Sequence, residues 1–324
     1  MEYSVLCLLL CLTTSKDVSG QTIVASLNHA AVNSNVTLQV YPETSIQGGM
    51  WFHGSTFIMQ WYPMGSFPNP TWASRITFNS TLLALSIRSV QVADSGIYLI
   101  QGPSIELNVI LSVQEPISNA ILRADATDLV ELNDTAVFTC SVTTGSSLSY
   151  LWLNGSSEVN ASLVQLTNGG STVSIPMVTR YDTGPFRCNV SNGISHDMVR
   201  QSISLNISYG PDTPVIMGPW LNLTSQNVTL TCTASSQPPS TYTWLFNGSQ
   251  VATGSVYESG PLTSHNNEEF TCVAFNNITN KNSTASQKLT VIGNSVVPLH
   301  SSAGLMLMVL VALFVPVVND LWSH

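Results

Sequence analysis

Charge is what this chain has least of. Only 8% of its 324 residues are Asp, Glu, Lys or Arg, and nine basic groups stand against eighteen acidic ones, for a formal net charge of -9. That leaves no basic surface for a nucleic-acid backbone. Catalytic signatures are missing too: there is no GxSxG elbow, HExxH, GxGxxG or P-loop. The six histidines (His29, His53, His196, His265, His300, His324) are scattered, with no carboxylate cluster beside them. With neither a CxxC pair nor a partner histidine, no metal is expected, no cofactor is implied, and an enzymatic reading fails. Hydrophobic residues at 44% supply ample core, and the length suits two or three domains at about 150 residues each. Ser, Thr and Asn take the place of charge, which suits a secreted or cell-surface chain.

Cysteine is nearly as scarce, with six in all and none between Cys11 and Cys140. Residues 1–20, MEYSVLCLLLCLTTSKDVSG, carry an apolar stretch from Val5 to Leu12 and then small polar residues. They read as a signal peptide cut near Gly20, without the usual basic start. Its removal takes Cys7 and Cys11 and leaves four cysteines, which permit three pairings. The two pairs in chain order have matching surroundings. Around the first stand VFTC (137–140), YLWLNG (150–155) and YDTGPFRC (181–188); around the second, LTC (230–232), TYTWLFNG (241–248) and EEFTC (268–272). In each, a Trp follows the first Cys by twelve residues (Trp152, Trp244), and an aromatic precedes the second Cys by two (Phe186, Phe270). This is the Cys…Trp…Cys pattern of an immunoglobulin sandwich, with strand B and strand F cysteines bridged over a strand C Trp. The expected bridges are Cys140–Cys188 and Cys232–Cys272, each stabilising by roughly 4 kcal/mol on the chain-entropy account.

Residues 21–114 fit the same template with the sulfurs removed. NVTLTC (227–232) returns as NVTLQV (35–40), placing Val40 in the first cysteine slot. Trp51 falls in the strand C position, and DSGIY (94–98) places Ile100 in the second slot, two residues after Tyr98. A buried apolar pair can stand in for a disulfide if the volume is filled. Arg75 and Asp94 occupy positions that, in variable-type domains, meet across the bottom of the sandwich. The fold class is therefore all-β: three tandem immunoglobulin-like sandwiches, one variable-type without a disulfide and two disulfide-bonded, over 21–114, 117–208 and 212–292.

Three stretches narrow the likeness. RITFNSTLLALSI (75–87) running into VADSGIY (92–98), QLTNGGSTVSIPMVTRYDTGPFRC (165–188) and SYGPDTPVI (208–216) resemble the carcinoembryonic-antigen-related cell adhesion molecules across residues 21–292. Phe186 and Phe270 depart from that pattern in lacking a tyrosine-corner hydroxyl, and the third domain is only loosely similar. The resemblance implies cell–cell adhesion, homophilic or heterophilic, through the GFCC′ face of the first domain. A ligand or decoy for immune receptors or microbial adhesins, without self-association, is the alternative. Phe52 falls where that family has an aromatic contact residue, and Gln101 matches a polar one.

Strand parity points to the same face from the residues alone. With Trp51 inward, Met50 and Phe52 point outward; with Tyr98 and Ile100 inward, Leu99 and Gln101 point outward. FIMQWYPM (57–64) reads as strand C′ with Phe57, Met59 and Trp61 outward, completing an exposed apolar patch. If alternation slips by one across the Gly54 turn, those C′ residues enter the core instead.

N-x-[ST] acceptors recur through all three domains, at Asn35, Asn79, Asn133, Asn154, Asn160, Asn189, Asn206, Asn222, Asn227, Asn247, Asn277 and Asn282. Only Asn35 and Asn79 lie in the first, which makes it the least decorated. At the C-terminus, residues 303–318 form an uncharged apolar run, followed by NDLWSH with no stop-transfer charge. Small residues at 293–295 and a polar spacer before it read as a lipid-anchor signal with Asn294 as attachment site; a short transmembrane stub is the alternative. Either way the expected location is the outer face of the cell membrane, with no cytoplasmic tyrosine.

Overall fold

Short apolar runs with a period of two, interrupted by Gly, Pro, Asn and Ser, favour paired strands over helices. The computed structural model describes residues 20–223, 226–262 and 268–292. The leader with Cys7 and Cys11, Asn294, the run 303–318, and His265, His300 and His324 lie outside the described residues. Those described form strands and two single-turn 3-10 segments. They group into two compact units: one runs to Pro214 and includes 234–241 and 274–283, and the other holds the remainder from 215 onward.

Ten strands build the first sandwich: β1 (Thr22–Ala25), β2 (His29–Ala31), β3 (Val36–Tyr41), β4 (Gly49–His53), β5 (Thr56–Tyr62), β6 (Gly65–Pro68), β7 (Ile76–Asn79), β8 (Ala84–Ile87), β9 (Gly96–Gly102) and β10 (Ile105–Gln114). One sheet has the order β1-β3-β8-β7 and the other β2-β10-β9-β4-β5-β6. Only the β2–β10 pairing is parallel; the rest are antiparallel. On β3, Val36, Leu38 and Val40 are buried while Thr37 and Gln39 are not, so the alternation in NVTLQV sets which face meets the core. Val40, Trp51 and Ile100 share one core cluster and are each fully enclosed. The two cysteine slots are thus filled by branched hydrocarbon.

The second sandwich pairs a sheet of Ile121–Ala124, Ala136–Ser141, Thr172–Ile175 and Gln165–Thr167 with one of Ser157–Glu158, Ser149–Asn154, Phe186–Ser191 and His196–Met198. Cys140 and Cys188 join the two sheets. The third sandwich is closed in the same way by Cys232–Cys272, between a sheet of Val215–Met217, Thr229–Thr233 and Val256–Glu258 and a five-stranded one. Trp152 and Trp244 lie buried in the same core clusters as their bridges. The indole N–H of Trp152 donates to the Gly170 carbonyl at 2.8 Å, and that of Trp244 to Gly254 at 3.1 Å.

Candidate functional site

The outward face of the six-stranded sheet takes its composition from an irregularity. Along β4 and β5, Trp51 pairs with Met59 but the next residue, Phe52, pairs with Phe57, so one extra residue is taken up in β5. A bulge of this kind sets two consecutive residues against one and reverses strand parity beyond it. Ile58 and Met59 are accordingly both buried, and the alternation resumes with Trp61 inward. The expectation that Met59 and Trp61 line the outer face is corrected: both are core residues, 1% and 2% exposed. Trp61 packs on Phe78 of the opposite sheet, with ring centroids 4.8 Å apart.

The β5 residues turned outward are Phe57, Gln60 and Tyr62. Phe57 sits edge-on to Phe52 at 6.1 Å between centroids. Phe67 on β6 lies opposite Gln60 and packs against Tyr62 at 6.4 Å. Register joins Met50 to Gln101 and Phe52 to Leu99, and then Leu99 to Asn108, Gln101 to Glu106 and Ile97 to Ile110. Directly opposed residues of an antiparallel pair share a face. Ile97 and Ile110 are over half exposed, as are Tyr62 and Phe67; Phe52, Phe57 and Leu99 are half-buried, and Gln101 is exposed. Parity alone missed Gln60 and Tyr62; Phe67, Ile97 and Ile110 also belong to this face. The turn YPMG (62–65) was the available signal for an added edge strand.

At one end of this face, residues 47–50, Tyr62 and residues 101–103 line an apolar groove of about 410 Å³. Three of its lining residues, Gly48, Gly49 and Gly102, have no side chain. A Cβ on Gly49 would lie 2.5 Å from the Trp61 ring and 2.6 Å from the Gln101 carbonyl oxygen, so the buried position of Trp61 requires glycine there.

At the other end stands the Arg75–Asp94 pair. Two parallel bonds, Nη1 to Oδ2 at 2.6 Å and Nη2 to Oδ1 at 3.0 Å, give the bidentate geometry. The Gln91 amide donates to Oδ2 at 2.8 Å. Burial alone would raise the Asp94 carboxyl, but the hydrogen bonds from Arg75 and Gln91 outweigh it and hold the pKa below its ordinary value. Tyr98 donates its hydroxyl to the Asp94 carbonyl at 2.8 Å, the tyrosine-corner arrangement, and burial pushes its pKa well up. His53 stacks on Tyr98 at 4.8 Å, and the Arg75 guanidinium lies over Trp72 at 5.0 Å. Strands β4 and β9 are thereby tied to the far sheet without a covalent link.

Among the sequon asparagines, Asn154, Asn189 and Asn222 are half-buried and the other nine are exposed. Asn35 immediately precedes β3 and Asn79 ends β7, both strands of the four-stranded sheet. No group of three or more His, Cys, Asp or Glu among the described residues could hold a metal ion. No helix among them is long and apolar enough to cross a membrane.

The immunoglobulin-domain profile matches residues 121–192 and 213–276, the two segments that carry the bridges. Those two segments resemble the immunoglobulin domain in sequence, and the fold is three immunoglobulin-like sandwiches in tandem. Murine CEACAM1b is similar at 24% identity, covering 58% of this chain and 99% of its own, with a TM-score of 0.48. An I-band fragment of titin matches at 17% identity over 83% and 98%, with a TM-score of 0.45. The ectodomain of mouse nectin-like molecule 4 matches at 15% over 83% and 98%, with a TM-score of 0.39.

Proposed function

We propose that this chain is a glycosylated cell-surface protein of the carcinoembryonic-antigen-related type, which adheres to a second copy of itself or a related immunoglobulin protein through the outer face of β4, β5, β6, β9 and β10. One observation carries the reading: in a chain of net charge -9, those five strands contain a single carboxylate, Glu106, and no Lys or Arg. Two like copies meeting face to face bring surfaces of the same net charge together, so a nearly uncharged face favours self-association. Aromatic and aliphatic side chains fill it instead, and no sequon falls on it. Exposed apolar surface of this extent on a secreted chain marks an interaction site. The domain limits 21–114, 117–208 and 212–292 belong to this reading, as does membrane attachment through residues 303–318 with Asn294 as the lipid-bearing residue.

The test is sedimentation of the secreted ectodomain over a range of concentration, together with aggregation of transfected cells. Concentration-dependent dimers and clustered cells are expected. A strict monomer whose cells stay single overturns self-adhesion and leaves the receptor-ligand alternative. Release of the protein from cells by a phospholipase specific for glycosylphosphatidylinositol tests the anchor.

A further inference from the structure

The first two sandwiches share a register that allows residue-by-residue comparison. In the first, Trp51 opposes Ile100 and Met50 opposes Gln101. In the second, Trp152 opposes Cys188 and Leu151 opposes Asn189. Asn189 therefore holds in the second sandwich the place Gln101 holds in the first: one residue past the strand F cysteine slot, outward, opposite the residue before the strand C Trp. It is also the acceptor of the sequon Asn189-Val190-Ser191. On its two flanks stand Leu151, 37% exposed, and Met198, 51% exposed and paired with Asn189 from the neighbouring strand. Its amide oxygen is buried and takes no hydrogen bond.

We propose that Asn189 carries an N-linked oligosaccharide that covers Leu151 and Met198 and so closes the outer sheet of the second sandwich to protein contact. In forming it, the Nδ2 nitrogen attacks the anomeric carbon of a lipid-pyrophosphate-linked oligosaccharide. A C–N bond forms, the C–O bond to pyrophosphate breaks, the pyrophosphate leaves with the electron pair, and Nδ2 gives up a proton. Two sheets that share this register then have opposite surfaces: bare apolar side chains around Gln101, and sugar around Asn189. That the bare one is the adhesive one rests on the adhesion reading above; the modification rests only on its cell-surface part.

The test uses the full ectodomain secreted from mammalian cells. Enzymatic deglycosylation in heavy-oxygen water converts each sugar-bearing Asn into a labelled Asp, and the peptide containing residue 189 should carry the label. Asn189→Gln and Ser191→Ala should each lose one glycan's mass and gain fluorescence from an apolar-surface dye, and adding Leu151→Ser should cancel the gain. Ser191→Ala keeps the asparagine in place, which separates lost sugar from altered packing. An unlabelled Asn189 overturns the proposal, and so does loss of the glycan in both variants with no change in dye binding. Neither readout depends on whether the first sandwich self-associates, so each proposal can fail alone.

Discussion

The first and second sandwiches solve one closure problem by different means. In the second, a disulfide joins strands B and F, and the Trp152 N–H is satisfied by the Gly170 carbonyl. In the first, both sulfurs are replaced by branched apolar residues, and the Trp51 N–H is buried without a partner. What the first has instead is polar: the Arg75–Asp94 pair and the Tyr98 corner. The second lacks that clamp. Phe186 has no hydroxyl, and Asp182, four residues before it as Asp94 is before Tyr98, accepts from the Thr179 amide and hydroxyl. Arg180 there is held by Glu131 and Asp212, with its guanidinium over Tyr209. A covalent link acts largely by restricting the unfolded chain; packing and ion pairing act only in the folded state. One frame tolerates either.

The contrast is most easily broken at Trp61. As a core residue, it should lose about 3–5 kcal/mol on truncation in Trp61→Ala, read as a fall in the first transition of a thermal or denaturant melt. Phe57→Ala, on the outward side of the same strand, should change stability by no more than about 0.5 kcal/mol. Equal effects would mean that the bulge is misplaced. Reduction is the next largest perturbation. A reductant should destabilise the two bridged sandwiches by about 2–5 kcal/mol each and leave the transition of the first unmoved in the same calorimetric trace.

Moving the sequon sharpens the difference between the two faces. Gln101→Asn with Pro103→Ser creates Asn-Gly-Ser at the slot that Asn189 fills in the second sandwich. Dimerisation should vanish while the melting temperature holds; persistent dimers with an occupied site would place the adhesive surface elsewhere. A milder change, Phe52→Ala, should weaken self-association by about 2 kcal/mol, as truncated aromatic anchors often do, with little shift in the melt.

Acid gives the smallest and most graded response. The folded pKa of Asp94 lies below its ordinary value, so its stabilisation is fully present above about pH 3.9 and fades as pH falls through the folded pKa. The first transition should weaken in that range, and Arg75→Ala should remove most of that sensitivity. A pH profile identical in wild type and variant would show that the pair contributes nothing.

Much of this was legible in the residues. The spacing of Cys140, Trp152 and Cys188, and its repeat at Cys232, Trp244 and Cys272, determined the sandwich fold and the bridges, because strand periodicity and disulfide reach leave few alternatives. Val40, Trp51 and Ile100 identified the first sandwich by position even with the sulfur gone. Tertiary structure alone decided which side chains of β5 reach solvent. Whether Met59 and Trp61 point in or out turns on one extra residue accommodated against β4, and a bulge follows from the pairing of two strands. The period-two rule cannot see it, because parity counts residues along one chain while burial depends on the partner strand.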